Sequence, residues 1–501
     1  MTAFPETIPD LLAFRAAHAP RGRTWLRFEA DTWTLADSLD QVDRFAVGLA
    51  ERGVARGDVV AILLGNAPDA LFAWFAANQL GAVAAPLNPA YKPPELSGVL
   101  DLAQPRVLVV ADELRGLADA ALAASSSRPV LAAPRELTLA GAGAPRAEVA
   151  PEDVAVLLAT SGTTGAPKAV MQTHRTYTLT AEAFPWWLGL TERDVLYTPL
   201  PLFHVNAQAY STLGSLGCGA GLALAPRFSA SRFWSDVRRH GATEVNAVGA
   251  MLHILLGAST GEEKDHRLRL LYSALALPEA QHRAFEARFG VRMVVGYGLS
   301  ETTFGTVWPR DQAPDDAHLY GTMGVLRQHP RLGAISRARV VREDGTDAGD
   351  GEAGELWLQN PATMSGYLRD PEQTRAALAD GWLRTGDIVK RSAGGVFTFV
   401  SRKKEVLRRR GENVAAAEIE RAFTAHPDVV EAAVIGVPSP LGEDEIVAFV
   451  VRRSPVPVEE LRAFVRERLA DYKVPSRIHL QESLPRTPTE RVAKHLLREP
   501  S

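Results

Sequence analysis

Apolar runs of four to six residues alternate with longer helical patterns through most of the chain. The six aliphatic residues at 59–64 show no polar alternation, the pattern of a strand covered on both faces. A helical pattern follows over 66–80, a second strand over 81–86, and a further apolar strand at Val107-Leu108-Val109-Val110. Strand, helix, strand in this rhythm predicts a parallel sheet covered by helices. Residues 123–146, rich in Ala, Ser, Pro and Gly, predict a surface connection. Near residue 400 the chain becomes more charged and the pattern changes. A helix is expected over 414–423, strands over 432–437 and 446–452, and an amphipathic helix over 458–469. This stretch of about a hundred residues is long enough for a separate domain. The expected fold class is α/β: a large, multi-subdomain N-terminal domain with helix-covered sheets, followed by a small α+β C-terminal domain.

Composition narrows the function classes. At 501 residues the chain exceeds one ordinary domain, and 46% hydrophobic with 23% charged residues is a soluble globular profile. A net charge of −4 offers no overall positive field, so no nucleic-acid partner is expected. Arg408, Arg409 and Arg410 form the one notable basic run, expected to be a solvated loop. The single cysteine, Cys218, excludes an internal disulfide and a cysteine-based zinc site, and is expected to be a small buried residue. No stretch approaches the roughly 20 apolar residues of a membrane span. The first fifteen residues lack a charged lead followed by an apolar run, so a cytoplasmic location is expected.

The chemistry begins at Thr160-Ser161-Gly162-Thr163-Thr164-Gly165-Ala166-Pro167-Lys168, which follows an apolar strand at 154–158. Small residues let a backbone wrap an anion, hydroxyls and N–H groups donate to phosphate oxygens, and Lys168 adds positive charge. No Gly-Lys-Ser/Thr stands at the spacing of the GxxxxGK[ST] nucleotide loop. The nine-residue string resembles the phosphate loop of the adenylate-forming superfamily: acyl-CoA synthetases, adenylation domains and luciferases. The resemblance runs in order through Pro86-Leu87-Asn88-Pro89, Tyr297-Gly298-Leu299-Ser300-Glu301-Thr302, Gly351-Glu352-Ala353-Gly354-Glu355-Leu356, and Met364-Ser365-Gly366-Tyr367. It continues through Gly381-Trp382-Leu383-Arg384-Thr385-Gly386-Asp387, Gly411-Glu412-Asn413-Val414 and Tyr472-Lys473-Val474-Pro475. The spacing around Phe203-His204 and 272–277 is most similar to crotonobetaine/carnitine-CoA ligases.

This resemblance implies an acyl-CoA ligase that joins a carboxylic acid to CoA through acyl-AMP, using ATP or acyl-AMP, CoA and Mg²⁺. A carboxylate attacking the α-phosphate brings two anions together, so cations and donors must surround the phosphates. The resemblance makes Glu301 the Mg²⁺ ligand and Thr302 a donor to the α-phosphate, with Tyr297 among the nucleotide contacts. Asp387 accepts from both ribose hydroxyls and Arg402 donates to the same sugar. His204 becomes a gate between acyl pocket and thiol tunnel, and Asn246, Ala250, Ser273, Leu275 and Gly298 line the acyl pocket. Lys404 marks a hinge, giving domains 1–401 and 406–501 joined by 402–405, with the small domain mobile. Arg410 and Gly411 lie on the CoA route.

Three departures from the family pattern matter. Glu490-Arg491 replaces the usual Gly-Lys, whose lysine bridges substrate carboxylate and α-phosphate; a planar guanidinium does not mimic a compact ammonium. Lys494 is a candidate substitute. Arg410 stands where a glycine commonly lines the pantetheine passage, and the 272–277 turn and Ala169 are milder changes. Weak adenylation with stronger thioesterification is therefore expected, which would call for a separate adenylating enzyme as partner. The alternatives are a fully two-step ATP-dependent synthetase, an acyl-carrier-protein ligase, or a nucleotide-binding pseudoenzyme. The small and apolar residues at the acyl positions favour a bulky, largely neutral acid.

Overall fold

A computed structural model describes residues 4–139, 143–161, 167–258, 263–274, 276–309, 317–403, 406–409, 412–438, 444–469, 471–486 and 492–498. The chain divides into two compact units, Met1–Arg337 with Leu358–Leu383, and Ala338–Trp357 with Arg384–Ser501. The architecture is mixed α/β, with a large N-terminal part and a smaller C-terminal one.

The first unit is built on two sheets. In one, five strands run parallel in the spatial order Val154–Ser161, Val83–Pro86, Val59–Leu63, Val107–Val110, Val130–Ala132. The strand Pro167–Thr173 joins it antiparallel to Val154–Ser161, and Gly366–Tyr367 closes that edge. All four residues of Val107–Val110 are buried, as expected of a strand without alternation. The helix Pro68–Gln79 starts with Pro68 in its first turn, where a missing N–H costs nothing, and buries every residue but Asp69. Residues 123–146 are not merely a connection. Val130–Ala132 pairs with Val107–Val110 as an edge strand, and Pro134 opens the short helix Pro134–Leu137. Three residues sharing a ladder with a longer strand leave too short a pattern to read from sequence.

The second sheet of this unit has nine strands. Its parallel centre runs Arg292–Tyr297, Leu270–Ser273, Glu244–Ala247, Val195–Thr198, Gly221–Leu224, Thr24–Phe28. The amino ends of these strands lie together along one edge of the layer and the carboxyl ends along the other.

In the second unit, Val429–Pro438, Asp444–Arg452 and Arg477–Gln481 form a three-stranded sheet. Side-chain alternation along Asp444–Arg452 sends Ile446, Ala448 and Val450 into one apolar cluster with Ile419, Phe423, Leu461 and Val465. Val447 and Phe449 enter another with Leu484 and Leu497. The helices Ala416–Thr424 and Val458–Arg466 thus cover one face. Arg408 and Arg409 belong to the strand Val406–Arg409, paired with Glu412–Ala415, rather than to a loop. Among the described residues no helix is long and apolar enough to cross a membrane.

Candidate functional site

In the first unit, Val154–Ser161 and Pro167–Thr173 form a hairpin in which Thr160 sits opposite Lys168 and Ser161 opposite Pro167. The glycine-rich segment therefore connects the two strands of this pair in sequence. Gly162, Thr163, Thr164 and Gly165 themselves lie outside the described residues. Lys168 Nζ stands over the Tyr367 ring, 5.3 Å from its centre. The Tyr367 hydroxyl donates to Glu301 Oε1 at 2.9 Å. Burial, and then the Glu301 carboxylate, push the Tyr367 phenol well above its ordinary pKa, so it remains a donor. Cation, phenol and carboxylate from three separate motifs thus meet in one place. Tyr367 had been quoted only as part of a motif. Gly366, at φ +144°, brings its backbone against Thr374, whose hydroxyl accepts from Tyr367 N at 2.9 Å.

The Tyr297–Thr302 motif follows the carboxyl end of Arg292–Tyr297 and is tied down by residues 360–364. Glu301 C=O accepts from Met364 N at 2.8 Å, and Ser300 C=O from Gln172 Nε2 at 2.5 Å. Thr302 is fully buried; its hydroxyl accepts from Asn360 Nδ2 at 3.2 Å. Glu301 is half-buried and its carboxylate reaches the Tyr367 side.

The acyl-side candidates cluster at the carboxyl ends of the neighbouring strands. Asn246 is buried opposite Tyr272 in register, and its Nδ2 donates to Asn206 Oδ1 at 2.7 Å and Ser211 Oγ at 3.1 Å. Ser273 is the buried last residue of Leu270–Ser273. At Gly298 a Cβ would stand 2.6 Å from Tyr210 Oη, so this position accepts nothing larger than glycine. His204 precedes the π-helical turn Asn206–Thr212, accepts from Gln208 N at 3.2 Å, and packs its ring on Phe203. Leu275 and the side chain of Ala250 lie outside the described residues.

Behind this wall lies a residue the sequence did not single out. Arg327 is 1% exposed; its guanidinium donates to Tyr210 Oη at 2.7 Å and Thr306 C=O at 2.9 Å. It also donates to Thr303 C=O and Tyr272 Oη, and it lies over the Trp187 ring. Its partners come from four separate segments, around positions 187, 210, 272 and 303–306, so no local pattern could have exposed it.

The second unit holds the sugar-side candidates. Asp387, fully buried on Trp382–Arg391, faces Arg402 across the ladder with Phe397–Arg402. Arg402 Nε lies 2.7 Å from Asp387 Oδ1. Gly386, at φ +69°, and Thr385, bonded to Leu356 C=O at 2.7 Å, fix the strand backbone next to the carboxylate. Glu355, another residue quoted only within a motif, accepts from Gly386 N at 3.1 Å and pairs with Lys403 at 3.0 Å. Lys494 Nζ is 2.7 Å from Glu420 Oε1 and so is already committed to an ion pair inside this unit. Lys404, Arg410, Gly411 and Arg491 lie outside the described residues.

Among the described residues no group of three or more His, Cys, Asp or Glu converges as a metal cage. A single half-buried carboxylate, Glu301, is a donor set compatible with Mg²⁺, because that ion leans on substrate phosphates and water.

Residues 13–368 match the AMP-binding enzyme family, and residues 418–491 match the AMP-binding enzyme C-terminal domain. The chain is 33% identical to the sulfoacetate–CoA ligase of Cupriavidus necator, covering 98% of this chain and 97% of that protein. It is 30% identical to a crotonobetaine/carnitine–CoA ligase of Escherichia coli over 91% of each. Among solved structures, the o-succinylbenzoate CoA synthetase of Bacillus subtilis in complex with AMP superposes with a TM-score of 0.87. Its identity is 27% and it covers 98% of both chains. An ATP-bound RpMatB-BxBclM chimera superposes with a TM-score of 0.89, 27% identity and the same coverage.

Proposed function

This chain is a member of the AMP-binding enzyme family, and from that premise we propose that it is an acid–thiol ligase working through acyl-AMP, weak in adenylation and stronger in thioesterification. The observation that carries the ligase reading is the meeting of Lys168, Tyr367 and Glu301. Lys168 there binds phosphate oxygens, Tyr367 orients the Glu301 carboxylate to which it donates, and Glu301 would hold Mg²⁺, which supplies neutralisation of phosphate charge. Thr160, Ser161 and the glycine-threonine segment at 162–165 cradle the phosphates, and Tyr297 and Thr302 complete the nucleotide contacts. The Thr302 hydroxyl, which donates to Asn360 Oδ1 at 3.3 Å, turns from that oxygen to donate to the α-phosphate. Asp387 accepts the ribose hydroxyls and Arg402, charge-paired with it, orients that carboxylate and donates to the sugar.

On the acyl side, Asn246, Ala250, Ser273, Leu275 and Gly298 wall the pocket, and His204 gates it from the thiol. None of the five wall residues carries an ionisable side chain, which keeps the preference for a largely neutral acid. Domains 1–401 and 406–501 exchange catalytic faces about Lys404 within 402–405, and Arg410 and Gly411 line the CoA route.

The imbalance between half-reactions rests on Glu490-Arg491, strengthened by the engagement of Lys494 with Glu420. A lysine held by its own unit's carboxylate is a poor substitute for the missing one. Loss of a well-placed donor to an anionic transition state costs roughly 10²–10³ in rate. Pyrophosphate exchange across an acid panel that includes sulfoacetate and crotonobetaine, run beside synthetic acyl-AMP with CoA, tests the reading. Fast thioester formation from the adenylate and slow exchange are expected. Activity in neither assay favours the nucleotide-binding pseudoenzyme, and equal activity the fully two-step synthetase.

A further inference from the structure

At the amino ends of the nine-stranded sheet, a cavity of about 300 Å³ opens between the helix Ile8–His18 and the starts of three strands. Glu192 precedes Val195–Thr198, Gly219 and Ala220 precede Gly221–Leu224, and Thr24 begins its own strand. Ligands of parallel α/β sheets sit beyond the carboxyl ends of the strands, where the candidate acyl residues lie. The cavity is therefore not an extension of that site.

Its charge is uneven. Arg15, Arg23 and His18 line it, and Glu192, exposed at the surface, is the one carboxylate among the lining residues. Arg15 is partly buried, and one of its terminal nitrogens donates to Gly217 C=O. Its Nε is buried with no hydrogen-bond partner among the described residues. Arg27, on the strand Thr24–Phe28, has a buried Nη1 in the same condition but does not itself line the cavity. No ion pair to Arg15, Arg23 or Arg27 is formed among the described residues, whereas Arg175, Arg232 and Arg269 in the same unit each pair with a carboxylate. Cys218 also lines the cavity and is only partly buried, contrary to expectation. Its thiol donates weakly to Gly214 C=O at 3.5 Å, so it supplies no counter-charge. Pro20, Trp25 and Leu35 form the apolar wall, with the Trp25 indole N–H spent on Ser215 Oγ at 3.0 Å.

Buried guanidinium N–H groups without acceptors are costly, and an oxyanion satisfies two or more of them at once. We infer that this cavity is a second ligand site, binding a small organic anion with its phosphate or sulfonate head at Arg15 and Arg23 and its apolar body against Pro20, Trp25 and Leu35. A volume at the low end of ligand pockets suits a small molecule and not a whole nucleotide.

The test is calorimetric titration of the full chain with phenyl phosphate and with benzenesulfonate, in saturating AMP to occupy the nucleotide site. Phenol and inorganic phosphate are the controls for body and head. One saturable site per chain is expected, with phenol silent and inorganic phosphate weaker. Tighter binding of phenyl phosphate than of benzenesulfonate assigns a phosphate head, and the reverse a sulfonate head. Arg15→Gln with Arg23→Gln should weaken binding about tenfold or more while the AMP titration stays unchanged. Arg23→Gln alone, on the cavity rim, should weaken it by a smaller factor in a chain whose melting curve is unaltered. An isotherm that the double and single changes both leave intact, or no saturable binding to the unmodified chain, overturns the inference.

Discussion

The two ends of the nine-stranded sheet treat a buried arginine in opposite ways. At the carboxyl end Arg327 is wholly enclosed and spends its guanidinium on two tyrosine hydroxyls and two carbonyls. At the amino end Arg15 is partly enclosed, gives one bond to a carbonyl, and keeps a buried N–H without an acceptor. Depth of burial alone would rank Arg327 as the more suspicious group. Counting acceptors reverses the order, because a cation saturated by neutral dipoles is a structural joint and one left short is open to a ligand. Arg402, in the second unit, shows a third solution: direct pairing with the buried carboxylate of Asp387.

Breaking the saturated end should have the largest effect. Arg327→Met removes a donor shared by two phenols and two carbonyls in the core, of which Tyr210 Oη and Thr303 C=O keep only their bond to each other at 2.8 Å, at a cost of about 3 kcal/mol. Denaturant unfolding should show a lower midpoint with an unchanged slope. An unshifted midpoint would mean that the tyrosines and carbonyls find other donors.

At the amino end the second-largest effect depends on pH. His174 is buried, and its Nδ1 accepts from Ile8 N at 3.3 Å, tying down the helix that carries Arg15. Burial lowers its pKa from 6.5 to about 4, only partly opposed by Asp153 and Asp10. The unfolded chain therefore binds more protons between these values, and stability is full above pH 6.5 and lost as pH falls toward 4. The loss amounts to about 3 kcal/mol. Unfolding curves at pH 7 and pH 5 should differ in the unmodified chain and converge in His174→Asn. An equal difference in both places the acid sensitivity elsewhere.

The carboxylate paired with Arg402 yields an effect on binding and not on stability. Asp387→Ala should weaken AMP by roughly 1.5–3 kcal/mol for each ribose hydrogen bond lost. Calorimetry that finds AMP affinity unchanged removes Asp387 from the site. The smallest effect belongs to Arg15→Gln, which removes a poorly satisfied charge and should alter stability by less than about 1 kcal/mol. A large loss of stability there would make Arg15 a structural joint like Arg327.

What the sequence disclosed follows the same distinction between local and assembled features. Val59–Leu63, Val107–Val110 and Pro68–Gln79 were legible because a run buried on both faces needs no knowledge of its neighbours. The edge strand Val130–Ala132 exists only through its pairing with Val107–Val110, and its composition resembled a loop. Asp387 and Arg402 were named from separate motifs, and the ladder sets them opposite each other. Tyr367 and Glu355 stood in quoted motifs, but the hydrogen bonds that give them weight span 66 and 31 positions of sequence. Arg327 and the Arg15 cavity have no motif at all, since each is assembled from segments far apart in the chain.

The proposed ligase consumes an acyl-adenylate faster than it makes one, and comparing the two rates on one acid tests this directly. Single-turnover thioester formation is followed from synthetic acyl-AMP plus CoA, and separately from acid, ATP, Mg²⁺ and CoA. The first rate is expected to exceed the second by roughly 10²–10³. Glu490→Gly with Arg491→Lys should close most of that gap by raising the second rate alone. Equal rates in the unmodified chain, or a double change that slows both reactions together, would contradict the account.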